Sequence, residues 1–119
     1  MTWSTTGSLL LALAVILGAF GAHGLRDRLD PYSMGVYEKA VFYHFIHSVM
    51  LFILAERKQI PAVPWWGFLT GIVIFSGSLY LLAVTNIRWL GAITPIGGVS
   101  FLIGWGCLLL HPRAEKSEA

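Results

Sequence analysis

Residues 59–87 read QIPAVPWWGFLTGIVIFSGSLYLLAVTNI, twenty-nine positions without an Asp, Glu, Lys or Arg. A helix rises about 1.5 Å per residue, so about 20 residues cross the roughly 30 Å of hydrocarbon in a bilayer. This stretch spans a membrane with residues to spare, and the pattern recurs on both sides of it. Residues 1–25, 40–55 and 89–112 are also uncharged. The shortest run, 40–55, reaches spanning length once it is extended to Tyr37, with Glu38 and Lys39 at the interface and their stems snorkelling. Four transmembrane helices are predicted, at about 4–25, 37–55, 65–85 and 89–110.

Composition agrees with that reading. The 119 residues are 56% hydrophobic and only 12% charged, about half the charge of an average soluble domain. Mean hydropathy is +0.72. A soluble chain this small would expose apolar patches large enough to aggregate. The low charge also excludes a disordered or nucleic-acid-binding chain. Trp3, Trp65, Trp66 and Trp89, with Tyr32 and Tyr37, fall at the predicted helix ends, where amphipathic rings prefer to sit. Strand-like alternation is absent, which excludes a barrel. The fold class expected is an all-α membrane protein, an antiparallel bundle of four helices. Residues 1–112 form its single domain and 113–119 a short polar C-terminal tail. No Lys or Arg precedes residue 26, and the first apolar stretch is too long for a signal-peptide core, so it is read as a span rather than a cleaved leader.

Four spans place the N-terminus, the 56–64 linker and the C-terminal tail on one side, A, and the 26–36 and 86–88 connections on the other, B. Side A carries Arg57, Lys58, Arg113 and Lys116, and side B carries Arg26, Arg28, Lys39 and Arg88. The count ties, and the free amino terminus turns the reading toward cytoplasmic termini. Helices in lipid associate through close packing and interhelical hydrogen bonds. Ala14, Gly18 and Ala22 form a small-residue stripe on helix 1; Gly67, Gly71 and Ser76-Gly77-Ser78 recur on helix 3, and Gly97, Gly98, Ser100 and Gly104 on helix 4. Pro95 withholds a backbone donor from Gly91, which predicts a kink or unwinding over Thr94–Gly98. Cys107, the one cysteine, is read as inert packing.

The polar residues of the spans fall in one half of the bilayer. Measured from side B at about 1.5 Å per residue, His23 lies about 3 Å deep, His44 and His47 about 10 and 15 Å. Ser78 and Ser76 lie about 10 and 14 Å deep, and Pro95 to Gly98 about 9 to 14 Å. The A half is almost purely apolar. His23, Tyr43, His44, His47, Ser76, Ser78, Thr94, Pro95, Gly97 and Gly98 are therefore the candidate lining of a polar pocket. Glu38 lies on the opposite face of helix 2 from His47 and is expected to form an interfacial charge contact with Arg88 or Arg26.

A metal site is not indicated. His44 and His47 are spaced i,i+3, whereas the helical zinc pair is i,i+4 with a Glu between. Haem held by two histidines needs facing ligands at one depth, and His23 sits well above His47. No cofactor is expected, and no P-loop, nucleophile elbow or carboxylate pair supports catalysis.

Three strings occur together: Gly18-Ala-Phe-Gly-Ala-His-Gly24, Phe75-Ser-Gly-Ser-Leu-Tyr80, and Thr94-Pro-Ile-Gly-Gly98 running on through Phe101 to Gly104-Trp105. They resemble the domain-of-unknown-function 423 family, the YgdD-like small bacterial inner-membrane proteins with eukaryotic relatives. Glu38, Ala40, Tyr43 and His47 resemble the second-helix pattern of that family; His44 departs from it, since an amide is expected there. The resemblance covers about residues 7 to 106. It implies a four-helix integral membrane protein and supplies no biochemical activity.

Three kinds of function remain open. The leading one is a non-enzymatic membrane protein, a self-associating packing or accessory unit whose partners are lipids, its own copies or another membrane protein. The second is binding or transport of a lipid headgroup, small solute or proton in the polar pocket, which predicts that His47→Leu removes binding and leaves the fold intact. The third is a redox unit binding haem or quinone.

Overall fold

The computed structural model describes residues 2–112; the predicted tail 113–119 lies outside them. Among the described residues are four long helices, each apolar enough to cross a membrane: α1 (Trp3–His23), α2 (Pro31–Ala55), α3 (Ala62–Thr85) and α4 (Arg88–Leu110). Local chemistry sets their ends. Thr2 caps α1, its hydroxyl accepting the Thr5 N–H at 3.0 Å. Asp30 caps α2, its carboxylate accepting the Ser33 N–H at 2.7 Å, and Pro31 occupies the first position, where its missing donor costs nothing. This signal starts α2 at residue 31 rather than the predicted 37, so the helix runs out of the hydrocarbon into the headgroup layer. Asn86 ends α3 in the left-handed conformation, φ 59°, which reverses the chain between α3 and α4 within a few residues.

Two of the helices are irregular. The middle of α3 opens into a π-helical turn over Ile72–Ser76, between α-helical Ala62–Gly71 and Gly77–Thr85. The predicted break near Pro95 takes the form of a change of helix type. Arg88–Ala92 is 3₁₀ and α-helix resumes at Thr94, with Pro95 in its first turn. Thr94–Gly98 themselves are helical.

The centre of the bundle is the α2–α3 pair. The α1 helix packs on α2, and α4 packs on α3. A core of Leu51, Leu54, Trp65, Phe68, Ile72 and Phe101 fills the A half. Smaller clusters fill the B half, Ala40 with Leu79, Leu82 and Leu90, and Leu25 with Tyr37 and Ala83. The α3–α4 contact is close because glycines remove side chains from it. The Gly97 backbone lies directly against that of Phe75, and Gly67 against Ser100 and Gly104. By contrast, α2 and α4 meet mainly through aromatic side chains, and their seam stays wide.

Candidate functional site

Nine polar side chains within the spans take part in bonds between helices. The Ser76 hydroxyl, placed by the π-turn, donates to the Ala40 carbonyl of α2 at 2.9 Å. Ser78 donates to the Phe75 carbonyl at 3.0 Å and stands 2.6 Å from the Thr94 hydroxyl of α4. Ser100 donates to the Gly67 carbonyl at 2.8 Å, and Tyr37 to the Leu17 carbonyl of α1 at 2.6 Å. His44 Nδ1 bonds the Tyr80 hydroxyl at 2.8 Å. Its Nε2 is buried without a hydrogen-bond partner, as is the hydroxyl of Ser48 one turn along. Free hydrogen-bonding groups are costly in hydrocarbon, so such bonds lock the helices in register.

His47 is the most fully engaged of these groups. An indole N–H can only donate, so Trp105 Nε1 donates to His47 Nε2 at 3.0 Å. The proton of the ring therefore resides on Nδ1, which donates to the Tyr43 carbonyl at 2.8 Å. The imidazole is neutral, and both nitrogens are occupied. Its ring lies flat on Phe101, with centroids 3.6 Å apart and planes 11° apart. Tyr43 continues the layer, 9° from the plane of His47, and Phe75 closes on Tyr43 at 4.6 Å.

Beside this stack the α2–α4 seam opens sideways into a groove of about 400 Å³. The aromatic rings form its floor, and Pro95, Gly98 and Leu102 lie along its α4 wall. Of the ten residues predicted to line a pocket, Tyr43, His47, Pro95 and Gly98 meet here. His44, Ser76, Ser78 and Thr94 serve as contacts between helices, and Gly97 is buried under Phe75. His23 is exposed at the end of α1. The inward-facing cup expected from the layering is thus divided between a bonded interior and a lateral groove. Arg26 and Glu38 line one cavity between α1 and α2, whereas Arg88 stands over the Tyr32 ring, 5.8 Å from its centroid. Among the described residues no three His, Cys, Asp or Glu side chains cluster in a way that could hold a metal.

Trp105 and Phe101, which hold His47, were legible only as part of a motif string. One signal marks Trp105 as more than packing: an indole N–H inside a span favours a site that offers it an acceptor.

The family model described as "Protein of unknown function (DUF423)" matches residues 17–98. The chain belongs to this family. The DUF423 match takes in Gly18 and Gly21 of α1, all of α2 and α3, and α4 as far as Gly98; Trp105 lies beyond it. A "UPF0382 membrane protein" of Staphylococcus epidermidis is 49% identical over 108 residues, covering 87% of this chain and 88% of that protein. The "UPF0382 membrane protein YwdK" of Bacillus subtilis is 48% identical over 105 residues, covering 83% and 85%. No solved structure matches this DUF423 chain. The described residues hold four helices able to span a membrane, and the relatives' names are those of membrane proteins.

Proposed function

We propose that the protein is a non-catalytic accessory unit of a bacterial plasma membrane, with both termini cytoplasmic, working by lateral contact rather than by conducting a solute. Its contacts are lipids, further copies of itself or another membrane protein. The carrying observation is the use of Ser76, Ser78, Thr94, His44 and His47 in bonds between or within helices, which makes the polar half an adhesive rather than a cup. The unpaired outer faces of α1 and α4, with Val15, Ile16, Leu102 and Leu109 exposed, support lateral association. The Staphylococcus and Bacillus relatives support a bacterial membrane. Two measurements test the reading, one on the reconstituted protein and one in native membranes. Proteoliposomes should leak protons and small solutes no faster than empty vesicles, and crosslinking within native membranes should trap dimers or complexes with another protein. Measurable flux, or a monomer free of any crosslinked protein, would overturn it.

A second reading has an observation of its own. The Tyr43 hydroxyl is absent from the side-chain hydrogen bonds of the described residues, and the residue lines the aromatic groove. A flat ring beside a free donor suits a lipid-soluble planar molecule with a carbonyl acceptor, of the quinone class. Haem fits less well, because both nitrogens of His47 are bonded. Titration of the solubilised protein with a short-chain quinone should show saturable binding, weakened about tenfold by Tyr43→Phe, the size of one lost hydrogen bond. Absent binding, or equal binding by the variant, rejects this reading.

A further inference from the structure

A second opening lies at the B-side ends of α1 and α2, and it shares no lining residue with the aromatic groove. Two cavities adjoin there. The larger, about 350 Å³, is lined by Ala22, Arg26, Met34 and Glu38. The smaller, about 130 Å³, shares Ala22, Met34 and Glu38 and continues between Gly18 of α1 and Val41 of α2. The pair therefore has a charged mouth and an apolar cleft leading away from it.

Helix length fixes the depth of that mouth. With 25 residues, α2 is about 37 Å long, longer than the roughly 30 Å hydrocarbon core. Glu56, Arg57 and Lys58 mark the A surface, so the core ends about 20 residues before Ala55, near Val36. Glu38 and Arg26 consequently stand at the boundary between hydrocarbon and headgroups, the cleft pointing into the acyl layer. Neither charge takes part in the side-chain hydrogen bonds of the described residues. Both side chains are exposed, so a carboxylate and a guanidinium at headgroup level can take partners from outside the chain.

We infer that this end of the protein holds a zwitterionic phospholipid whose headgroup carries a primary ammonium. The ammonium donates to the Glu38 carboxylate, the phosphate accepts from Arg26, and one acyl chain lies in the cleft beside Gly18 and Val41. The charges discriminate among headgroups. Phosphatidylglycerol brings no cation to Glu38, and phosphatidylcholine brings a cation without an N–H to donate. The site is independent of the accessory and quinone readings above.

The test uses the full-length protein in detergent, equilibrated with micelles equimolar in phosphatidylethanolamine, phosphatidylglycerol and phosphatidylcholine, with retained lipid read by native mass spectrometry. One phosphatidylethanolamine should be retained about tenfold over either competitor, a difference of one charge-assisted bond. Glu38→Gln should erase that preference, and Arg26→Gln should lower retention of all three lipids. Ala22→Leu, at an exposed position shared by both cavities, should block the junction with both charges intact. Thermal unfolding of each variant reports whether the bundle persists. Equal retention of the three lipids by the unaltered protein overturns the inference without recourse to any variant, and so does an undiminished preference in a folded Glu38→Gln protein.

Discussion

Replacing Gly97 with alanine should lower the stability of the bundle by about 2 kcal/mol, the range of an overpacked core site, whereas the same change at Gly98 should be nearly neutral. An added Cβ at Gly97 would fall 2.4 Å from the Phe75 nitrogen and 2.7 Å from its Cα. Those are backbone atoms of the π-turn, so no rotamer change relieves the clash and α3 must move away from α4. That movement stretches the Ser78–Thr94 contact, 2.6 Å across the same seam. Helix propensity favours alanine over glycine by about 1 kcal/mol, which offsets only part of the strain. At Gly98 the nearest atoms are ring carbons of Phe75 at 3.8 Å, an ordinary contact. Gly77→Ala, where nothing lies within 4 Å, is the control and should be neutral or slightly stabilising. Thermal unfolding in detergent followed by circular dichroism separates the three; similar midpoints for Gly97→Ala and Gly98→Ala would show that the α3–α4 contact is looser than the structure has it.

The reason Gly97 differs from Gly98 also marks how far the sequence could be read. Gaps in charge located every span, because a bilayer admits few charges and requires a minimum length. Small residues on α3 and α4 were legible as close contacts, but which glycine meets backbone and which meets a ring depends on the π-turn at Ile72–Ser76. No composition rule marks that turn in advance. The early start of α2 was legible in principle from Asp30-Pro31; Pro31, Ser33 and Gly35 in its first turns read as a loop when hydrocarbon alone is taken as the solvent. Direction was not legible. Ser76, Ser78 and His44 turn toward neighbouring helices, and direction depends on partners remote in the chain, which counting residues along one helix does not give.

The same distinction changes what His47→Leu should do. If His47 only lined a pocket, leucine would remove a ligand and spare the fold. With Trp105 Nε1 donating to His47 Nε2 at 3.0 Å, leucine leaves an indole N–H without an acceptor in the α2–α4 seam, a loss of about 1–3 kcal/mol for a buried group. The flat contact on Phe101 adds up to about 1 kcal/mol, although leucine retains some packing. A total near 2 kcal/mol is expected by these measures. Bilayer hydrogen bonds often fall nearer 0.6 kcal/mol, and Trp105 is 37% exposed, which holds the figure below the sum of its parts. Trp105→Phe removes the donor together with its need for an acceptor and should cost about 1 kcal/mol. In the double variant no orphaned N–H remains, so its loss should fall short of the two single losses added by about 1 kcal/mol. His47→Gln, whose amide oxygen can accept the indole N–H, should recover part of the loss. Strict additivity in the double-mutant cycle would show that His47 and Trp105 do not bond, and His47 would then be free to serve the groove as a ligand-facing residue.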